Sequence, residues 1–209
     1  MSTVNLGRIL FLSAHQDDEC LSAGGTLLQA EDLHIMYFND HHPQVKDEVY
    51  AKEADRVRVA LGCTTSYSEC MDVNNLDSYP ISTYVSEIES VIDWVEPDTL
   101  ITLFPSYNQD HRVIYEAALT ASRPHDKNWY VRNVLLAEQP ETQQTFNRQF
   151  IPQLFIPIDI EKKIALYNLY ESQVRGHRSF DHLRHLAGVR GMQCNVPYAE
   201  AFQVMRLSL

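Results

Sequence analysis

The chain has 209 residues, 44% of them hydrophobic and 22% charged, which suits one globular domain over residues 1–209 with no linker, repeat or low-complexity tract. Its 28 acidic and 17 basic side chains give a formal charge of -11 with no basic block, which argues against a nucleic-acid backbone as partner and for a small molecule. No apolar stretch approaches the roughly 18–20 residues of a membrane span, and residues 1–5 lack the charged and apolar regions of a leader, so a cytoplasmic address is expected.

The first apolar run, residues 8–14, has the length of a strand and leads into Ala14-His15-Gln16-Asp17-Asp18-Glu19, with Gly24-Gly25-Thr26 just beyond. One imidazole and three carboxylates thus sit at a strand-to-helix junction. Adjacent carboxylates repel and raise one another's pKa, so a bound cation is the simplest way to keep several of them ionised. Cys20 lies beside this cluster, where it could meet a metal or an oxidant; Cys63, Cys70 and Cys194 read as small hydrophobes, and no pair has C-x-x-C spacing.

A second strand over 34–39 ends in Asn39-Asp40-His41-His42-Pro43. Residues 45–61 carry Val49, Val57, Ala60 and Leu61 at helical spacing and stop at Gly62, a C-terminal signal. A short strand around 66–71 leads to Asp72, which is either a turn residue or a carboxylate for sugar hydroxyls. Residues 82–95 place Val85, Ile88, Val91, Ile92 and Val95 on one helical face before Pro97.

The next strand, 98–104, runs into a second polar cluster, Tyr107-Asn108-Gln109-Asp110-His111-Arg112, and a helix is expected over 110–121. A strand at 133–137 and a helix at 160–174 follow. The basic tract of residues 175–190, with His182 and His185 and with Arg178, Arg184 and Arg190, reads as a solvated helix face or as a site that attracts the phosphate of a nucleotide sugar. Strands alternating with helices predict an α/β fold, a Rossmann-like, mostly parallel sheet with helices on both faces.

In such sheets binding residues collect where strands end and helices begin. Two clusters at the ends of two strands can converge and offer His15, Asp18 and His111, a two-imidazole, one-carboxylate set suited to zinc with a position open for water. Asp17, not needed as a ligand, could accept the water's proton. Either cluster alone also fits an acid-capped helix N-terminus.

The first cluster resembles the Ala-His-Pro-Asp-Asp-Glu motif of the PIG-L/LmbE-like zinc-dependent N-deacetylases, and Asn108-Gln109-Asp110-His111 resembles that family's His-Pro-Asp-His. Tyr170-Glu171-Ser172-Gln173 and Tyr198-Ala199-Glu200-Ala201-Phe202 resemble its closing segments. The resemblance implies an LmbE-like fold and an enzyme that removes an acetyl or other small acyl group from a small-molecule amino sugar, nucleotide-linked or glycosidic. It implies zinc, with iron or another divalent ion able to take the same place, held by His15, Asp18 and His111, and Asp17 as general base.

Three departures stand out. Gln16 and Gln109 replace two prolines without removing a chemical group. Asn108 stands where many relatives have a histidine; an amide can donate to an oxyanion but cannot act as an acid. Asp17 is therefore expected to handle both proton transfers, with His177 as a weaker candidate for the second. Tyr50 stands where several relatives have an arginine, and is read as a sugar contact or a half-buried aromatic. Two other classes remain: a manganese phosphoesterase using Asp40 and His41, and a sugar-binding relative without catalysis. Homo-oligomerisation is left open.

Overall fold

The computed structural model describes residues 5–39, 47–70, 75–126, 129–140 and 149–208. Its elements in chain order are β1 Arg8–Ser13, α1 Asp18–Leu27, β2 Asp32–Tyr37, α2 Asp47–Leu61, β3 Thr64–Tyr67, α3 Ile81–Val95, β4 Thr99–Leu103, α4 Gln109–Ala121, β5 Asn133–Ala137, β6 Leu154–Pro157, α5 Ile160–Tyr167, α6 Phe180–Gln193 and β7 Ala199–Arg206. Short 3-10 turns occupy Leu76–Ser78, Glu171–Gln173 and Gly176–Arg178.

The described strands form one sheet in the order β3-β2-β1-β4-β5-β7-β6. The first five are parallel, while β7 runs antiparallel to both β5 and β6. The expected α/β fold is therefore present, with an antiparallel edge that the pattern reading did not include. β1 shows why the parallel core forms: it is apolar on both faces, as a strand covered from both sides must be. Leu10 and Leu12 pack with Ile88, Ile92 and Ile114 of α3 and α4, and Ile9 and Phe11 pack on the other face with Ala23 and Leu27 of α1. Each of the leucine, isoleucine and phenylalanine side chains among them contributes roughly 1.5–3 kcal/mol by leaving water.

A third cluster joins α1, α2, α5 and α6 through Leu21, Tyr50, Val57, Leu166, Tyr167 and Leu183. The expected buried face of α2 is rotated: Tyr50, Glu53, Ala54 and Val57 are buried, whereas Val49 and Ala60 are exposed. The helix does stop at Gly62, whose φ of 64° suits glycine. The helix expected over 160–174 ends at Tyr167, and the basic tract contains α6, which buries Leu183, Ala187 and Gly191.

Glu200 of β7 explains the second closing segment. Its carboxylate accepts the N–H groups of Gly25 (2.9 Å) and Thr26 (2.7 Å) and pairs with buried Lys163 of α5 at 2.6 Å. Gly25 permits this packing, since a Cβ there would lie 2.7 Å from Ile158. Among the described residues no helix is long and apolar enough to cross a membrane.

Candidate metal centre

The strand order reverses between β1 and β4: the chain proceeds from β1 to β2 on one side and places β4 on the other. The crevice at such a switch point, outside the carboxyl ends of the strands, is the general ligand site of open parallel sheets. Both polar clusters emerge there, His15 to Asp18 after β1 and Ser106 to His111 after β4.

His15, Asp18 and His111 converge, and theirs is the group of donors among the described residues that could hold a metal ion. His15 Nδ1 lies 3.4 Å from Asp18 Oδ2, His111 Nε2 lies 3.4 Å from the same oxygen, and the two nitrogens are 3.3 Å apart. Tetrahedral zinc, with bonds of about 2.0–2.1 Å to nitrogen and oxygen, spaces its ligand atoms about 3.3–3.4 Å apart, so the donor set fits such an ion. Asp18 and His111 are fully buried and the His15 side chain is 23% exposed, leaving an approach from one side.

The remaining polar atoms of these three side chains are fixed by partners. His15 Nε2 donates to Asp110 Oδ2 at 2.9 Å, and Asp110 Oδ1 accepts the N–H of Leu76 at 2.9 Å. His111 Nδ1 lies 3.1 Å from Ser106 Oγ. Gln139, just past β5, donates to Asp18 Oδ1 at 2.6 Å. Such partners set the tautomer and the direction of each ligand. Asp110→Asn, which keeps the size and one acceptor, should weaken metal binding by roughly ten- to hundredfold, measured by competition with a chelator.

Helix capping does not explain the first cluster. Asp17 occupies the N-cap position of α1, yet its side chain makes no capping bond and its φ is 120°. Its N–H donates to Glu19 Oε2 (3.1 Å), and its carboxylate accepts Arg178 Nη1 (2.9 Å). Glu19 is held by the hydroxyl of Tyr170 at 2.9 Å. At the second cluster Asn108 is the cap, its Oδ1 accepting the N–H of Asp110 at 2.9 Å. Gln109 then takes the first helical position, where a proline is equally tolerated.

Without a metal the centre retains protons. Burial opposes the His15 imidazolium, but hydrogen bonds and charge from Asp110 and Asp18 outweigh it and raise the pKa from 6.5 to about 10. Burial raises Asp17 from 3.8 to about 8, with Arg178 pulling the other way and Asp18 adding to the rise. Asp18 is held well below 3.8, because His111 and His15 outweigh its burial.

Both raised groups bind protons more tightly in the fold than in the unfolded chain. Their contribution is complete at low pH and is lost as pH rises through about 8 for Asp17 and about 10 for His15. Asp18 acts in the opposite sense, but only below 3.8. Chelated protein should therefore melt at a lower temperature at about pH 9 than at about pH 5. Metal affinity should rise about tenfold per pH unit below the His15 pKa, for the proton displaced there. Melting curves and chelator competition across that window check both; a melting temperature that rises with pH would contradict the assignment.

The model of the family described as PIG-L, GlcNAc-PI de-N-acetylase, matches residues 10–122. The chain belongs to the PIG-L family. Comparison with curated protein sequences returns no match. A conserved protein from Thermus thermophilus shares the fold at 18% identity, with 96% of each chain covered and a TM-score of 0.79. So does the N,N'-diacetylchitobiose deacetylase from Pyrococcus horikoshii, at 16% identity over 98% of this chain and 87% of that one, with a TM-score of 0.76. The 4-carboxy-2-hydroxymuconate hydratase from Pseudomonas putida is also similar, at 19% identity over 97% and 98% of the two chains, with a TM-score of 0.74.

Two other expected residues, Tyr50 and His177, lie outside the donor group of this PIG-L protein. Tyr50 is 2% exposed, and its hydroxyl donates to the backbone carbonyl of Gln16, so it supports the first motif from below and is not open to a sugar. His177 is exposed and, with His182 and His185, lines a cavity of about 470 Å³ against α6; it does not join the metal triad. Asp72, Asp40 and His41 lie outside the described residues. Cys20 is buried, its thiol pushed well up by burial and then by Glu19, and it is not part of the donor group.

Asp110, Gln139 and Arg178 acquire their places at this site only through the fold. Asp110 was visible as the acid of its motif, and Gln139 as a polar residue at a strand end. Arg178 carried no local signal beyond its positive charge.

Proposed function

We propose that this PIG-L protein is a zinc-dependent hydrolase that removes an N-acetyl, or another small N-acyl, group from a small-molecule amino sugar. The observation that carries the reading is the triangle of His15, Asp18 and His111 donors, with edges of 3.3–3.4 Å, next in the chain to Asp17, whose carboxylate is not one of the donors. Those three residues would hold the ion, which when bound polarises an acyl carbonyl and acidifies a water. Family membership supports deacetylation, and the neighbouring N,N'-diacetylchitobiose deacetylase is by its name an enzyme of an N-acetylated sugar.

Asp17 then takes the proton of the attacking water as the acyl C–O bond forms. The same carboxyl group returns that proton to the departing nitrogen, so acetate and a free amine leave together. Asn108 uses Oδ1 for its cap, which leaves its amide N–H₂ as the chemically competent end for an oxyanion. Burial around Asp18 and His111 excludes water from the inner side of the centre and strengthens each of these interactions.

The test is metal analysis of the purified protein followed by acetate and amine release from a panel of N-acetylated sugars, free, glycosidic and nucleotide-linked. Reading both products separates this reaction from hydration, which yields neither. A phosphoesterase panel run in parallel should give no phosphate release. Protein that retains no divalent ion, or that holds zinc and cleaves none of these amides, would overturn the proposal.

A further inference from the structure

Arg178 reaches the centre from 161 residues away in sequence. Its Nη1 donates to Asp17 Oδ2 at 2.9 Å, with the arginine side chain 16% exposed and the aspartate 3% exposed. Among the described residues this is the hydrogen bond made to the Asp17 carboxylate. That carboxylate is carried by a backbone at φ 120° and ψ -25°, a conformation that side-chain-bearing residues rarely adopt. Asp17 therefore has an N–H held from within its own motif and a carboxylate held from outside it.

The segment that delivers Arg178 is anchored at both ends. Tyr167, the last residue of α5, donates its hydroxyl to the carbonyl of Gln173 at 2.8 Å. Ser172 donates its N–H (3.0 Å) and its hydroxyl (2.5 Å) to the two carboxylate oxygens of Glu53 on α2. Beyond the Gly176–Arg178 turn, Ser179 caps α6 by accepting the N–H of His182 at 3.3 Å. The Tyr170-Glu171-Ser172-Gln173 segment and Glu53 thereby acquire one shared physical purpose.

We propose that Arg178 is a positioning residue of the reaction, holding the Asp17 carboxylate in register with the metal triad, and that residues 170–179 with Glu53 are the scaffold that delivers it. The proposal rests on Asp17 being the base of the reaction described above. A guanidinium suits the task because it stays charged and offers a planar fork whose direction is fixed, where an ammonium would be a point charge on a flexible stem. A base displaced by about 1 Å can cost roughly a hundredfold in rate.

The experiment measures kcat, KM and bound zinc for Arg178→Ala and Arg178→Lys on the panel sugar that turns over fastest. The expected result is a kcat lower by roughly a hundredfold in the alanine variant, a smaller loss with lysine and unchanged zinc. KM should stay within about threefold, because the residue acts on the base rather than on substrate binding. Added guanidinium should restore part of the rate to Arg178→Ala and none to Asp17→Asn, a response that a general loss of structure would not produce. Glu53→Gln should lower kcat in the same direction, and its combination with Arg178→Ala should fall short of additivity.

Turnover by Arg178→Ala within about twofold of the unmodified protein would overturn the proposal, as would a loss confined to KM. Asp17→Asn separates the two readings. If it loses turnover while Arg178→Ala does not, only the positioning role falls; if both retain turnover, the assignment of the base falls first.

Discussion

Asp17→Asn should bind zinc as the unmodified protein does and lose roughly 10²- to 10⁴-fold in kcat. The substitution is nearly isosteric, and an amide oxygen can still accept the Arg178 N–H that the carboxylate accepts at 2.9 Å. It removes basicity and little else. The triad of His15, Asp18 and His111 is untouched, so metal content and melting temperature serve as controls. Because the lost interaction belongs to the proton-transfer step, kcat and kcat/KM should fall together while KM changes little. A variant that turned over near the original rate would remove Asp17 from the chemistry.

His111→Ala should purify without stoichiometric metal and release acetate no faster than the background. Its imidazole is fully buried, and its Nε2 is one corner of the donor triangle, 3.3 Å from His15 Nδ1 and 3.4 Å from Asp18 Oδ2. Alanine leaves one imidazole and one carboxylate, fewer than the three protein ligands of a catalytic zinc site. The loss of affinity should exceed the roughly ten- to hundredfold expected when only the partner of a ligand is removed. The variant also removes a partner that holds the Asp18 carboxyl low, so that group should titrate at higher pH than in the parent. Elemental analysis and the acetate assay read the first two effects; stoichiometric zinc in the variant would dissolve the proposed ligand set.

The central strands were legible because a doubly covered strand must be apolar on both faces: residues 9–12 and 134–137 are unbroken apolar runs, and residues 99–104 are apolar but for two threonines. β6 was not, because Leu154–Pro157 is four residues long and becomes a strand by pairing with β7. The buried face of α2 was misread because its aliphatic residues outnumber its contacts: Tyr50 and Glu53 turn inward to meet Gln16 and Ser172, while Val49 faces out. Tyr50 likewise could not be distinguished from a sugar contact until the carbonyl receiving its hydroxyl was known. The helix expected to reach residue 174 stops at Tyr167, and the turns that follow carry Ser172 to Glu53.

From its residues alone the chain declared an alternating α/β order and two acidic and imidazole clusters at strand ends, which carry the candidate donors His15, Asp18 and His111. Those features are local: a strand's polarity and a junction motif are each complete within about ten residues, the span over which periodicity and helix signals act. Folding alone decided that Asp110 meets His15 across 95 positions, Gln139 meets Asp18 across 121, and Arg178 meets Asp17 across 161. These contacts exist because parallel strands bring their carboxyl ends to one edge of the sheet, and because helix packing sets which distant side chains arrive there. No periodicity along the chain encodes such a meeting, since each partner is an ordinary polar residue until the other is in place.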